Sequence, residues 1–213
     1  SNGQVIITNE NGVVFGKDAI IDVGGLIATS ANLSNQNFLE SKFVFEQKSR
    51  KSKIQNFGHI LTDDHGHVVL VSPEIVNEGY IVAKKGNVFL AGGKSVELKF
   101  DGNEKLNGIH VEPGDWQTLI ENKKVIEVGE GQVILSASGY NELKGGLVRN
   151  SGQLSATSAI QVGGRIILVG EEIELASTSL IDTSGDLGGG DILIGGDWQG
   201  GKSVSYTHLT LPT

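Results

Sequence analysis

Five residues within nine positions carry the side chains most able to do chemistry: His59, Asp63, Asp64, His65 and His67. Imidazoles and carboxylates so crowded could hold a metal ion, but a site needs convergent ligands steadied by outer partners. The segment reads instead as a solvated turn of the kind that Lys84, Lys85 and Gly86 form further on, and no metal is expected. Gly93, Lys94 and Ser95 mimic the end of a phosphate-binding loop, yet Val88 stands where that loop needs glycine. Asp186, Asp191 and Asp197 lie among glycines without the Gly-Gly-x-Gly-x-Asp register of calcium-binding repeats. Glycoside chemistry needs paired carboxylates across a cleft. Here acidic residues scatter, and Arg50, Arg149 and Arg165 are the only arginines. The chain is expected to be no enzyme and to need no cofactor.

What positions these residues is a repeat. The phrase apolar, any, Asn, any, Gly, any, apolar occurs at Ile54, Asn56, Gly58, Ile60, at Ile75, Asn77, Gly79, Ile81, and at Val148, Asn150, Gly152, Leu154. A degraded copy reads Ile120, Asn122, Lys124, Ile126. Each is followed by glycine and an alternating apolar run: Gly66, Val68, Leu70; Gly86, Val88, Leu90; Gly131, Val133, Leu135; Gly164, Ile166, Leu168. A period near 20 residues signals a solenoid. Such a coil cannot bury its apolar face alone, and stacking on the next coil at about 4.8 Å pairs each strand in parallel with its copy.

The expected fold is all-β: a right-handed parallel β-helix. Glycine is expected at the corners for positive φ. Asn56, Asn77 and Asn150 are expected to bond neighbouring backbone or one another. At about 20–22 residues per coil the chain suggests roughly nine coils. Residues 94–117 break the period, with Val96, Leu98, Phe100 and Ile109, Val111 flanking turn residues, and predict a flanking β-hairpin. Residues 36–53, with Phe38, Leu39, Phe43 and Phe45, predict a hydrophobic cover over the flank.

Composition agrees. Aromatics make up only 6% of the chain, so Val, Ile and Leu must build the core, and 31 glycines against 3 prolines suit tight corners. The formal charge of −8 and the short basic stretch Lys48, Arg50, Lys51, Lys53 argue against nucleic acid as a partner. Without cysteine there is no disulfide or thiolate site, which suits a chain crossing a membrane unfolded. No run of 18 apolar residues predicts a spanning helix. Lacking methionine and beginning at Ser1, the chain reads as an internal piece of a longer protein.

Two units are expected, 1–203 and 204–213. Residues 204–213 break the rhythm and resemble the translation of a sequencing-library adapter, and are read as a non-native tail excluded from fold reasoning.

The first forty residues carry a family resemblance. Asn9, Glu10, Asn11, Gly12, Val13, Val14, Phe15, Gly16 precede Ile21, Asp22, Val23, Gly24, Gly25, Leu26, Ile27, Ala28, Thr29, Ser30, then Asn32, Leu33, Ser34 and Asn37, Phe38, Leu39. In that order they resemble the two-partner secretion, or haemagglutination-activity, domain of filamentous-haemagglutinin-like exoproteins, over residues 1–203. Glu10 replaces the family's usual proline, and an earlier cap with a further Asn-Pro-Asn motif is absent. The resemblance implies a secretion-targeting and structural domain of a large secreted adhesin, recognised by an outer-membrane transporter barrel with periplasmic domains. It also implies passage through the periplasm to the surface of a Gram-negative bacterium, where the parent meets a host-cell or bacterial receptor. A contact-dependent toxin parent, or a polysaccharide-processing enzyme, is the alternative. Asn9, Asn11, Gly12, Phe15, Gly16, Val23, Gly24, Gly25 and Leu26 are carried over as the secretion motif. Asn56, Gly58, Asn77, Gly79, Asn150 and Gly152 are expected as structural corners.

Overall fold

The computed structural model describes residues 3–40, 42–101, 105–139, 145–160, 162–195 and 208–210. The chain winds through three parallel sheets. In spatial order, sheet A holds Gln4–Thr8, Gly25–Thr29, His67–Val71, Asn87–Gly92, Gln132–Ala137, Arg165–Val169 and Asp191–Ile194. Sheet B holds Gly12–Phe15, Lys53–Asn56, Glu74–Asn77, Thr118–Asn122, Gly146–Asn150, Glu172–Leu175 and His208–Thr210. Sheet C holds Ile20–Val23, His59–Thr62, Tyr80–Ala83, Val125–Val128, Gln153–Ala156 and Leu180–Asp182. Every pairing within these sheets is parallel, which makes this the expected β-helix.

The register places like residues on like. Ile54 aligns with Ile75, Ile75 with Ile120, Ile120 with Val148 and Val148 with Ile173, all fully buried. Each buried Ile or Val contributes about 1.5–3 kcal/mol relative to exposure. The column repeats on sheet C through Ile60, Ile81, Ile126 and Leu154, and on sheet A through Val68, Val88, Val133 and Ile166.

The described strands give seven rungs rather than nine. Two excursions consume the missing length. Asn77 pairs directly with Asn122, so the offset of 45 residues holds one ordinary coil plus an excursion and no silent coil. That excursion is the predicted hairpin, Ser95–Phe100 antiparallel to Leu106–Glu112. Its inner strand pairs with Val44–Glu46, which pairs with Asn32–Leu33. The two irregular regions thus form one four-stranded antiparallel sheet. It covers the outer face of sheet A, where Ile27, Val69, Phe89, Ile134 and Ile167 form a second apolar cluster with Phe45, Val96, Leu98 and Leu106. Phe43 is partly buried there, Leu39 is 82% exposed at the end of a short helix (Asn35–Leu39), and the side chain of Phe38 is outside the described set.

Sheet A is therefore apolar on both faces, as parallel strands buried on both sides must be. The runs Val68–Val71 and Val88–Ala91 show this in sequence as four consecutive buried residues. Within 204–213, residues 208–210 pair with Glu172–Glu174 as the seventh strand of sheet B, and the rest of that segment lies outside the described residues.

Candidate functional site

The corner between sheets B and C carries a continuous column of amides. Asn56 Nδ2 donates to Asn77 Oδ1, Asn77 Nδ2 to Asn122 Oδ1, and Asn122 Nδ2 to Asn150 Oδ1, each at 2.8 Å. All four side chains are buried. The second amide hydrogen turns to backbone: Asn77 to the Val125 carbonyl at 3.3 Å and Asn122 to that of Gln153 at 3.2 Å. Both ends are closed. Asn56 Oδ1 accepts the Gly58 N–H at 3.1 Å, and Asn150 Nδ2 reaches the Gly152 carbonyl and the Ser179 hydroxyl. Below the column Phe15 occupies the equivalent position, and above it Leu175 does, so apolar side chains end the ladder.

The corner glycines have a different cause from the one expected. Positive φ among described glycines occurs at Gly12, Gly188 and Gly195, and not at Gly58, Gly79 or Gly152. What excludes a side chain is the next coil. A Cβ on Gly79 would lie 2.2 Å from the Gly58 carbonyl oxygen, and one on Gly152 would lie 2.1 Å from that of Lys124. The corner before sheet A repeats this more tightly: Gly86 over Gly66 at 1.8 Å and Gly131 over Gly86 at 1.6 Å. Coil-to-coil contact, and not the turn's own dihedral, fixes glycine there. The left-handed positions instead fall to His65 (φ 65°) and Lys85 (φ 50°) in the exposed turns beside it.

The nine residues expected to form the secretion motif lie on the first coil and at the start of the next strand of sheet A. Asn9 Oδ1 accepts the Asn11 N–H at 2.9 Å, the Gly12 N–H closes on the Asn9 carbonyl at 2.9 Å, and the Asn9 N–H ties the turn to Thr29 at 3.0 Å. Gly12 takes φ 110°, and a Cβ there would strike the Lys53 carbonyl at 2.2 Å. Phe15, Val23 and Leu26 are buried in the main core. The Gly16 carbonyl lies against Gly58, and the Gly24 carbonyl against Gly66. Gly25 leaves room for the His67 ring, whose nearest atom would be 3.2 Å from a Cβ. Asn9, Asn11 and Gly16 remain exposed, beside two outward apolar side chains, Val14 at 65% and Ile20 at 72% exposure.

The histidines of the crowded segment part company. His59 stacks on Tyr80 with ring centroids 4.8 Å apart, His65 Nδ1 approaches the Lys85 carbonyl, and His67 Nε2 accepts from the Gln4 amide at 2.9 Å. Burial pushes the His67 pKa below its ordinary value, which agrees with a neutral ring accepting that bond. Among the described residues no group of three potential ligands converges on a metal position. Outward charges on sheet B pair across coils, Lys53 with Glu74 at 2.7 Å, and Arg149 bridges Glu174 and Glu121, while at the corner after the sheet Lys123 pairs with Glu78 at 3.1 Å. Hydrogen bonding to Glu78 raises the Lys123 pKa. Partly exposed pairs of this kind contribute at most about 1 kcal/mol each.

One buried network was not visible in sequence. Ser30 and Ser52, which flank the first excursion, and Ser72, one coil on from Ser30, meet at the corner between sheets A and B and lie within 3.0 Å of one another through hydroxyl and carbonyl oxygens. Gln47, from the first excursion, reaches Ser30 and Ser52 at 3.2 and 2.9 Å. Spaced serines gave no signal because the residue that unites them comes from outside the repeat.

The chain matches the model of the TPS secretion domain over residues 1–197. It is similar to two curated proteins of Haemophilus influenzae, each described as a heme/hemopexin-binding protein. One is 30% identical over 188 residues, covering 84% of this chain and 20% of that protein; the other is 27% identical over 202 residues, covering 85% and 21%. The chain thus spans about a fifth of the length of these relatives. Among solved structures it resembles the HMW1 secretion domain of Haemophilus influenzae, with 26% identity and a TM-score of 0.63 over 98% of this chain and 62% of that one. This parallel β-helix, matched along nearly its whole length, belongs to the TPS secretion domain family of two-partner secretion exoproteins.

Proposed function

We propose that this domain is the export address of a large secreted surface adhesin, read by an outer-membrane transporter barrel through its periplasmic domains, with no catalysis of its own. The observation that carries the reading is the first coil. Its motif residues include a buried set, Phe15, Val23 and Leu26, on which later coils stack, and an exposed set, Asn9, Asn11 and Gly16, with Gly12, Gly24 and Gly25 at close backbone approaches. The buried set supports a structural role: it gives the first rung that templates the next. Folding coil by coil outside the cell then helps draw the chain outward. The exposed set, with Val14 and Ile20, is the surface on this coil that a transporter can touch. The parent's receptor, on a host cell or another bacterium, belongs to the remainder of the parent.

A second parent is favoured by one finding, the printed description of the two curated relatives as heme/hemopexin-binding proteins. In that reading the same address exports a ligand-capturing protein. The test is co-expression in a Gram-negative host with and without the partner transporter. The reading expects the domain in the medium only when the transporter is present. Equal amounts in the medium without it would overturn the reading.

A further inference from the structure

The two excursions leave the helix and return to it around a single depression of about 500 Å³, lined by Gln47, Arg50, Lys94, Gly114, Asp115 and Trp116 among others. Its frame is pinned by backbone. The Gln47 N–H donates to the Lys94 carbonyl at 2.9 Å, the Lys94 N–H to the Glu112 carbonyl at 2.8 Å, and Gly114 bridges in parallel to Gly139. The Gln47 side chain is held by the serine network behind it. Trp116 lies flat on Gly114, where a Cβ would meet the indole at 2.7 Å. The indole N–H is buried and finds no acceptor among the described residues.

Charge around the indole is mixed but net positive. Arg50 sits over the ring, 5.6 Å from its centroid, and pairs with Asp115 at 2.8 Å. Both partners are more than half exposed, at 61% and 66%, so little holds Arg50 to Asp115. Lys94 is exposed and has no ion-pair partner among the described residues. Two cations therefore face one carboxylate on a chain whose formal charge is −8.

We infer that this depression binds an acidic saccharide, a pyranose unit bearing a carboxylate. A pyranose has an apolar C–H face and a hydroxyl rim, which match an indole platform ringed by polar groups. The guanidinium of Arg50 turns from Asp115 to the sugar carboxylate, for which its paired N–H groups are shaped, and Lys94 adds a second charge. Asp115, released, accepts from sugar hydroxyls. An extended peptide fits less well, because Pro113 on the rim has no N–H to offer a pairing strand. The site is independent of the export reading.

The test follows the indole N–H resonance of Trp116 in the ¹⁵N-labelled chain, with Trp198→Phe used to assign the two tryptophans. A hyaluronan tetrasaccharide should shift it saturably. Chitotetraose, neutral and of equal length, should bind at least about tenfold more weakly, a difference of one charge-assisted contact. Sodium sulfate should leave the indole unmoved. Arg50→Gln and Lys94→Gln, both at exposed positions, should each erode the preference for the acidic sugar while the remaining spectrum stays folded. No shift with hyaluronan, an equal response to chitotetraose, a sulfate response of the same size, or unchanged affinity in both variants would each overturn the assignment.

Discussion

Two buried polar seams run along this helix, and they are built on opposite plans. At the corner between sheets B and C, four asparagines repeat one bond, each amide donating to the next at 2.8 Å. At the corner between sheets A and B, three serines and Gln47 close on themselves. The asparagine seam is self-complementary, so it extends for as long as the repeat supplies Asn, and Phe15 and Leu175 mark where it stops. The serine seam ends because its key member arrives from outside the repeat. A propagating seam sets coil spacing; a closed seam fastens an excursion to the coil it leaves.

The largest expected effect comes from the spacing that both seams share. Gly131→Val would force a side chain into the Gly86 carbonyl, since even a Cβ would lie 1.6 Å away. It should cost more than about 4 kcal/mol and abolish a cooperative unfolding transition. A variant that melts like the parent would show that coil contact is not what demands glycine.

Breaking the asparagine seam comes next. Asn77→Leu strands the Asn56 amide hydrogen and the Asn122 carbonyl oxygen, both buried. At about 1–3 kcal/mol per unpaired group the loss is roughly 2–6 kcal/mol, measurable by urea unfolding. Gln47→Leu should cost less, about 1–3 kcal/mol, because its partners keep their serine contacts. Its signature should be local: faster amide exchange in Val44–Glu46 and Ser95–Phe100, with the coil strands protected as before. Loss of protection spread evenly over all sheets would erase the distinction between the seams.

The smallest effect is a slope against pH. Burial depresses the His67 pKa in the folded state below its ordinary 6.5. The unfolded chain therefore binds the proton more readily, so stability is full above pH 6.5 and falls as pH drops through 6.5 toward the depressed value. His67→Gln should flatten that slope in thermal melts recorded between pH 7.5 and pH 5.

The same contrast explains what could be read from sequence. Identical residues at fixed spacing announce themselves, so Asn56, Asn77, Asn150 and even the degraded copy at Asn122 pointed to parallel stacking, while the ordered residues of positions 9–39 pointed to the family. The hairpin was legible from alternation at Val96, Leu98 and Phe100. What depends on unlike residues from distant segments was not. Gln47 among three serines, and Trp116 with Arg50 and Lys94, meet only because the two excursions pair as one sheet. The cause of the corner glycines was also hidden, because the atom that excludes a Cβ at Gly79 belongs to Gly58, one coil away. The excursions absorbed chain that the period alone assigned to two further coils.

In the proposed role, stacking of the coils drives export of this domain. The most direct test is the yield in the medium of the parent chain, Asn77→Leu and His65→Ala, each co-expressed with the partner transporter. His65 sits in an exposed turn outside both seams. Export near the parent level is expected for His65→Ala and a marked loss for Asn77→Leu, with the chain accumulating inside the cell. Asn77→Leu exported as well as the parent would contradict it.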